Sequence, residues 1–417
     1  MLMSTEVISQ SKPRLRIVSL VLAYPSVVQP GLGVFIRSRL RAMTGHAEVR
    51  VLAPVPLFAI WKPGGVWREL QRLARLEHDG SLEVRRPRWA YVPGAGVLHP
   101  ILLFLQMIGP LRQLRQEFDF DLIDAHFAHP EGIAAALLGH WSGRPFTITL
   151  RGCEVDHAKP LLRRWAMRWA MKRAARVIAV SARLSRFAVS MGADPNRTIT
   201  VPNGVDTAVF YPRDRELSRR RHSLPPGRKL ILSAAVWMPL KGQLSMVRAL
   251  KSLIGRGYAV DLVLVGNQHQ FPDYTAMVKS EIAALHLREH VHCLGHIAPE
   301  SLAELMSAAD VFCLASTREG WPNVVHEAQA CGLPAVSTDV GGIPEMIPEP
   351  AYGLIVPVDD QPALAQSLAC ALDTAWDREA IVRWGRSRSW DQVGREVVHA
   401  MTSALAEAAG PAEGGLR

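Results

Sequence analysis

Along the chain, short uninterrupted apolar runs alternate with longer stretches whose apolar positions recur every three or four residues. The runs predict strands buried on both faces at 15–23, 47–53, 120–126, 145–150, 176–180 and 198–202,. A second set is predicted at 229–235, 260–265, 290–294, 310–314, 334–338 and 353–356,. The periodic stretches predict helices between them, in the first half at about 33–44, 131–141, 160–174 and 182–191,. Strand and helix alternating throughout predict an α/β protein with two doubly wound sheets. The turn-rich segment "VPNGVDTAVFYPRD" (201–214) separates the halves,. The expected domains are therefore 1–205 and 206–380, with closing helices and a frayed tail over 381–417.

A chain of 417 residues, 48% of them apolar, is ample for two cores,. Its five cysteines (153, 293, 313, 331 and 370) are scattered and form no C-x-x-C pair, which predicts reduced thiols in a cytoplasmic setting,. The apolar stretch 15–24 follows a polar leader and is too short for a secretory signal,. The run "VLHPILLFLQMIGPL" (97–111) is interrupted by Pro100 and Pro110 and is not expected to cross a bilayer alone,.

Charge changes this picture because it is unevenly placed. Residues 1–205 hold 28 Lys+Arg against 14 Asp+Glu, whereas residues 206–417 hold 20 against 24. The first half is expected to meet something anionic. Its densest run, "LLRRWAMRWAMKRAARVIAV" (161–180), sets Trp165 and Trp169 among Arg163, Arg164, Arg168, Lys172, Arg173 and Arg176. That pattern suits an anionic membrane surface, or else an ordinary packed helix with a solvated basic face. Nucleic acid is not expected, since no recognisable binding module accompanies the charge.

The most informative stretch is "REGWPNVVHEAQACGLPAVSTDVGGIPEMI" (318–347). Pro322 suits a first helical position and Gly332 followed by Pro334 stops a helix, so 322–331 is expected to be helical between strands, with Glu319 on the loop before it and Glu327 just over a turn inside,. Ligands of open α/β sheets bind at such loops, and the exposed N–H groups of a helix start favour phosphate. Carboxylates there accept from hydroxyls. A phosphate flanked by hydroxyl-reading carboxylates describes a sugar nucleotide.

Several motifs then fall in order: "DAHFAHPEG", "TLRGCEVD", "VPNGVDTAVFYP", "PLKGQ", "LVLVGNQ", "REGWPNVVHEAQACGLP" and "GGIPEMI". Together they resemble the retaining family-four glycosyltransferases (glycosyltransferase group 1) of the GT-B fold, over roughly residues 15–400. The opening "YPSVVQPGLGVFIRSRLRAM" is similar to the branch with teichuronic-acid and exopolysaccharide glycosyltransferases. The resemblance implies two Rossmann-like domains facing a cleft, with the donor held mainly by the second domain and the acceptor by the first.

It also implies roles for individual residues. Glu327 would hold the donor ribose hydroxyls, Glu319 would touch the donor sugar, and Lys241 would meet the diphosphate. Pro322 and Asn323 open the helix toward the phosphate, while Gly341 and Gly342 let backbone approach a ligand,. Gly31 and Gly33 form a loop near the donor phosphates, and Gly266 begins "GNQHQF" (266–271), which with "LGHIAPES" (294–301) would select base and sugar. The family's second cation, an arginine five positions before the lysine, is replaced by Val236, so either Lys241 and the Pro322 helix start carry the phosphate alone, another basic residue enters the cleft, or activity is reduced. Arg151 stands where many members carry histidine and is a candidate substitute, able to pair bidentately with phosphate,.

His126 and His129 fall at a strand end expected to face the cleft, with His126 a candidate for positioning or proton handling and equally for structure, and His129 for structure. "DFD" (119–121) fits the metal signature of the other common glycosyltransferase fold, but its place predicts helix-to-strand punctuation and no catalytic metal or cofactor. The expected activity is sugar transfer with retention from a UDP- or GDP-sugar to a saccharide or lipid-linked saccharide. The expected place is the cytoplasm, peripheral to the inner membrane face, in cell-surface or exopolysaccharide synthesis. The donor phosphate would accept the acceptor proton, with no covalent glycosyl-enzyme. Sugar-nucleotide epimerases share the fold, but their acidic clusters are not seen in the first half; a sugar-nucleotide-binding protein without turnover is the alternative.

Overall fold

A computed structural model describes residues 14–57 and 65–409. Of the expected features, the tail beyond 409 lies outside the described residues. The chain divides into two compact units. The first takes residues up to Thr149, 160–177 and those from Gly394; the second takes 150–159 and 178–393.

The first sheet is built from β1 (Arg16–Leu20), β2 (Glu48–Leu52), β3 (Leu76–Asp79), β4 (Leu82–Arg85), β5 (Leu122–His126), β6 (Phe146–Leu150), β7 (Arg176–Ala179) and β8 (Thr198–Thr200). Its order is β8-β7-β6-β5-β1-β2-β4-β3. Ile17 faces Val49 on one side and Leu122 on the other, both in parallel register. β3 runs antiparallel to β4, joined to it by a two-residue turn containing Gly80 at φ 64°. The central strands are almost wholly buried, as expected of a parallel sheet covered by helices on both faces, and mix apolar residues with the polar Ser19, Asp124, His126, Thr147 and Thr149,.

The second sheet contains β9 (Lys229–Ala234), β10 (Val260–Val265), β11 (Val291–Leu294), β12 (Val311–Leu314), β13 (Ala335–Thr338) and β14 (Gly353–Val356). All neighbours are parallel, in the order β11-β10-β9-β12-β13-β14. One core lies on each face. The first packs Leu250, Leu253, Val278 and Leu368 against Ile231 and Leu262; the second packs Met306, Val325, Ile343 and Met346 against Leu232 and Phe312. The order reverses between β9 and β12, so the loops leaving these two strands diverge from a common crevice.

Every strand expected from an apolar run is present, two with the expected bounds (260–265 and 353–356) and the others trimmed by one to four residues. Segment 54–96 differs. It holds β3 and β4, and a separate parallel pair, Val55–Leu57 with Arg88–Ala90. The apolar run at 97–111 also differs, because the prolines do not interrupt it: one helix spans His99–Glu117, with Pro100 in its first turn and Pro110 inside. Pro100 lies where N–H groups have no intrahelical acceptor, and Pro110 forfeits one internal bond that the packing of Leu103, Met107, Leu111 and Leu114 outweighs,. Among the described residues, no helix is long and apolar enough to cross a membrane.

Candidate functional site

The site assembles in the second unit at the carboxyl ends of β9 and β12. After β9 the chain makes a short turn, Pro239–Lys241, ended by Gly242 at φ 70°. A Cβ on Gly242 would fall 2.1 Å from the Ala315 carbonyl oxygen, and Thr317 N–H donates to the Leu240 carbonyl at 2.9 Å. These two contacts pin the Lys241 turn against the exit of β12. The Lys241 ammonium donates to Glu319 Oε1 at 2.6 Å, and the Ser316 hydroxyl donates to the same oxygen at 2.7 Å.

Three loops then cross with no room for side chains. A Cβ on Gly320 would meet the Arg151 carbonyl, and one on Gly152 would meet the Gly320 backbone. Gly341, at φ 53°, abuts the Glu319 carbonyl; Gly342 abuts the Trp321 ring and donates its N–H to the Gly320 carbonyl at 2.9 Å. The close approach expected of Gly341 and Gly342 is thus made to the chain's own Glu319–Trp321 loop. That packing sets the direction of the Glu319 side chain.

The helix after this loop runs Asn323–Ala330, with Pro322 at its N-cap, one place earlier than the sequence suggested. Asn323 Oδ1 accepts from Asn203 Nδ2 at 2.9 Å, and Asn203 Oδ1 accepts from Arg151 Nη1 at 2.8 Å. Asn203, in the turn-rich segment that separates the halves, therefore joins Arg151 to the helix start. Glu154 fixes Arg151 from the other side: its buried carboxylate accepts from the backbone N–H groups of Arg151 (3.0 Å) and Gly152 (2.6 Å). Burial pushes the Glu154 carboxyl up, against these N–H groups, which favour its ionised form,.

One turn into the helix, Glu327 makes no side-chain hydrogen bond to any described residue. Burial, aided by the Asp206 carboxylate, raises its carboxyl to about 7,. The residue retains some solvent contact. Val236 carries no charge to this crevice; its carbonyl accepts from Gln243 Nε2 at 3.1 Å. Gly266 closes β10 at φ 138°, where a Cβ would strike the Ala235 carbonyl. Beside the Lys241 turn lies a cavity of about 600 Å³ lined by Pro239, Gly242, Gln270, Phe271, Tyr274 and Thr317.

The remaining candidates lie in the first unit. Gly33 caps the helix Val34–Met43 at φ 68°, pressed on the Ala23 carbonyl, whereas Gly31 is exposed with open space around its Cα. His126 does not face outward as expected. It is fully buried, with Nε2 3.1 Å from Ser19 Oγ and 3.2 Å from Asp124 Oδ2. Asp124 also accepts from Arg39 (3.2 Å) and Thr147 (2.8 Å), and Arg39 donates to Thr149 at 2.6 Å. Burial opposes ionisation of Asp124, but Arg39, His126 and Thr147 outweigh it and hold the carboxyl at about 2. The network places His126 as a buried polar tie between strands. His129 is also buried, with Nε2 2.9 Å from the Gly96 carbonyl oxygen.

The "DFD" carboxylates are engaged elsewhere: Asp119 accepts from Arg144 at 2.6 Å and Asp121 from Arg16 N–H at 2.8 Å. Among the described residues, no cluster of His, Cys, Asp and Glu has the makings of a metal site.

Two family models match the chain, glycosyl transferases group 1 over residues 214–388 and glycosyltransferase family 4 over 71–209. The putative teichuronic acid biosynthesis glycosyltransferase TuaC of Bacillus subtilis is 26% identical over 394 residues, 90% of each chain. The N-acetyl-alpha-D-glucosaminyl L-malate synthase of Bacillus anthracis is 28% identical over 63% of this chain and 68% of its own. Among solved structures, Anabaena Alr3699/HepE in complex with UDP and glucose superposes with a TM-score of 0.71 at 18% identity, covering 93% of this chain and all of that one. Sucrose-phosphate synthase from Thermosynechococcus elongatus gives 0.69 at 20%, over 95% and 98%. The two models cover successive parts of the chain on either side of the segment 210–213, and with the shared architecture they make this chain a member of the family-four, group 1 glycosyltransferases of the GT-B fold.

Proposed function

We propose that this glycosyltransferase moves a hexose-type sugar, with retention of configuration, from a nucleoside diphosphate, UDP or GDP, to a saccharide or lipid-linked saccharide at the cytoplasmic face of the membrane. The observation that carries the reading is the cluster of Lys241, Glu319, Asn323 and Glu327 around the crevice where the second sheet reverses. The Bacillus subtilis relative named for teichuronic acid synthesis supports a cell-surface product. The neighbour with UDP and glucose supports a sugar-nucleotide donor.

In this reading Glu327 accepts from the ribose hydroxyls, a task open to it because its oxygens are not engaged by described residues. Lys241 faces the diphosphate. As the glycosidic C–O bond breaks, charge grows on the departing phosphate, and a fixed ammonium lowers that barrier. Arg151, tied through Asn203 to Asn323, supplies the second cation that Val236 lacks. Glu319 accepts from donor-sugar hydroxyls. The acceptor hydroxyl attacks the face from which the phosphate leaves and gives its proton to a phosphate oxygen, so no protein nucleophile is needed. Gln270 and Phe271, from the loop assigned to base selection, line the adjoining cavity.

Thermal unfolding with UDP and with GDP tests the donor site. A rise in Tm with one nucleotide, lost in Glu327→Ala, is expected, since a ligand that binds only the folded state stabilises it by mass action. No rise with either nucleotide in folded protein overturns the reading. Proton NMR of the sugar first released by slow donor hydrolysis then reports the stereochemistry.

A further inference from the structure

We propose that the first unit docks on an anionic lipid bilayer through an apolar wedge made by the starts of two helices. This deepens the membrane part of the reading above, yet it rests on other residues, so donor binding and docking fail separately.

The first part of the wedge is the opening turn of the helix Leu161–Arg173. Leu161, Leu162 and Trp165 are 71%, 69% and 72% exposed, although each would be expected to seek a core. The buried face of that helix is carried instead by Met167, Ala170 and Met171. The second part is the start of the helix His99–Glu117, where Leu98, Ile101 and Leu105 share one exposed face at a spacing of three and four residues,. The two starts are neighbours. The Arg163 guanidinium lies where a Cβ on Gly96 would be, and the Gly96 carbonyl accepts from His129.

Two neighbouring helix starts that each expose several large apolar side chains mark an interaction site,, and the charge around them selects the occupant. The helix Leu161–Arg173 contains five cations and no acidic residue, and Arg164, Arg168 and Lys172 have no acidic partner among the described residues. A second copy is disfavoured, because a two-fold contact would bring the same cations against each other. An anionic bilayer satisfies both features, taking Leu and Trp at the level of its headgroups and pairing the cations with lipid phosphates.

The test is co-sedimentation of the full chain with phosphatidylcholine vesicles, with and without about one third phosphatidylglycerol, a composition that gives the negative surface potential the cations need. Binding to the anionic vesicles alone is expected. Combined Leu161→Ser, Leu162→Ser and Trp165→Ser should reduce it at least about tenfold. Combined Arg164→Gln, Arg168→Gln and Lys172→Gln should reduce it on the order of 100-fold, at roughly fivefold per cation. All six side chains project from the surface, so Tm and the nucleotide-induced rise in Tm should persist. Failure of the natural protein to bind anionic vesicles, or equal binding by both variants, overturns the proposal. So does a natural dimer, detected by light scattering, that the serine variant converts to monomer without loss of vesicle binding.

Discussion

Lys241 and Glu319, residues from loops on two adjacent strands, are each other's partner at 2.6 Å, with Ser316 on the same carboxylate oxygen. A diphosphate that draws the ammonium away leaves Glu319 oxygens for the hydroxyls of the sugar. Binding of the two ends of the donor is thereby linked. Lys241→Ala should lower kcat/KM about 100-fold or more by removing charge opposite the leaving group. Its cost in stability should be modest, about 1 kcal/mol, because the pair is partly exposed and Ser316 remains,. The double variant with Glu319→Ala should lose no more activity than the worse single variant, a non-additivity that kinetic double-mutant cycles measure.

Gly31 and Gly33 lie two residues apart in one loop but differ in what surrounds them. Gly33→Ala drives a Cβ into the Ala23 carbonyl at positive φ and should destabilise by on the order of 2–4 kcal/mol,. Gly31→Ala meets nothing and should change stability by less than about 0.5 kcal/mol,. Denaturant unfolding separates the two. Weaker nucleotide binding by the Gly31 variant, at unchanged stability, would identify it as the donor-facing glycine of the loop.

The buried pair Arg39–Asp124, 3.2 Å apart, ties the helix after β1 to β5. Arg39→Met strands a buried carboxylate and should cost about 3–5 kcal/mol, with part recovered by Asp124→Asn in the same chain. The pH dependence has a defined sign. The folded carboxyl, at about 2, lies below the unfolded value of 3.8, so its contribution is full above about pH 4 and is lost as pH falls toward 2,. The slope of stability against pH should therefore differ between the natural and Asp124→Asn proteins only in that window, with the contribution of the carboxylate fully present above it,.

The alternation of apolar runs with periodic stretches was enough to locate twelve strands and to assign the α/β class, because strands buried on both faces leave an unmistakable run. It missed β3 and β4, whose exposed positions alternate, although the "DG" at 79–80 is a hairpin signal,. The helix start and stop signals set Glu319 on the loop and Glu327 inside the helix, whereas Lys241 was singled out by the family resemblance alone. They did not find Asn203, Ser316 or Glu154, which act on neighbours distant in sequence or through backbone N–H groups that no motif records. They misread His126, since the identity of a residue at a strand end does not tell which way its side chain turns. The charge of the first half was legible, but the exposure of Leu161, Leu162 and Trp165 was not; helical periodicity alone assigns such residues to a core,.

Glu327 titrates near neutrality, and this gives the donor site a pH dependence of its own. Its carboxyl rises from 4.5 to about 7 on folding, so the folded state holds a proton that the unfolded state has released between these values. Stability therefore falls as pH rises through that window, by an amount on the order of 1–3 kcal/mol, and Glu327→Gln should flatten the curve and be the more stable protein above pH 7. Nucleotide binding should run the opposite way. Only the ionised carboxylate accepts from both ribose hydroxyls at once, so affinity should rise as pH increases through about 7 and level off above it,. Calorimetric titration of UDP or GDP from pH 6 to pH 8.5 measures this, with proton release on binding at pH 6.5. In Glu327→Gln the slope and the proton release should both disappear, whereas a role for Glu327 in packing alone would leave them in place.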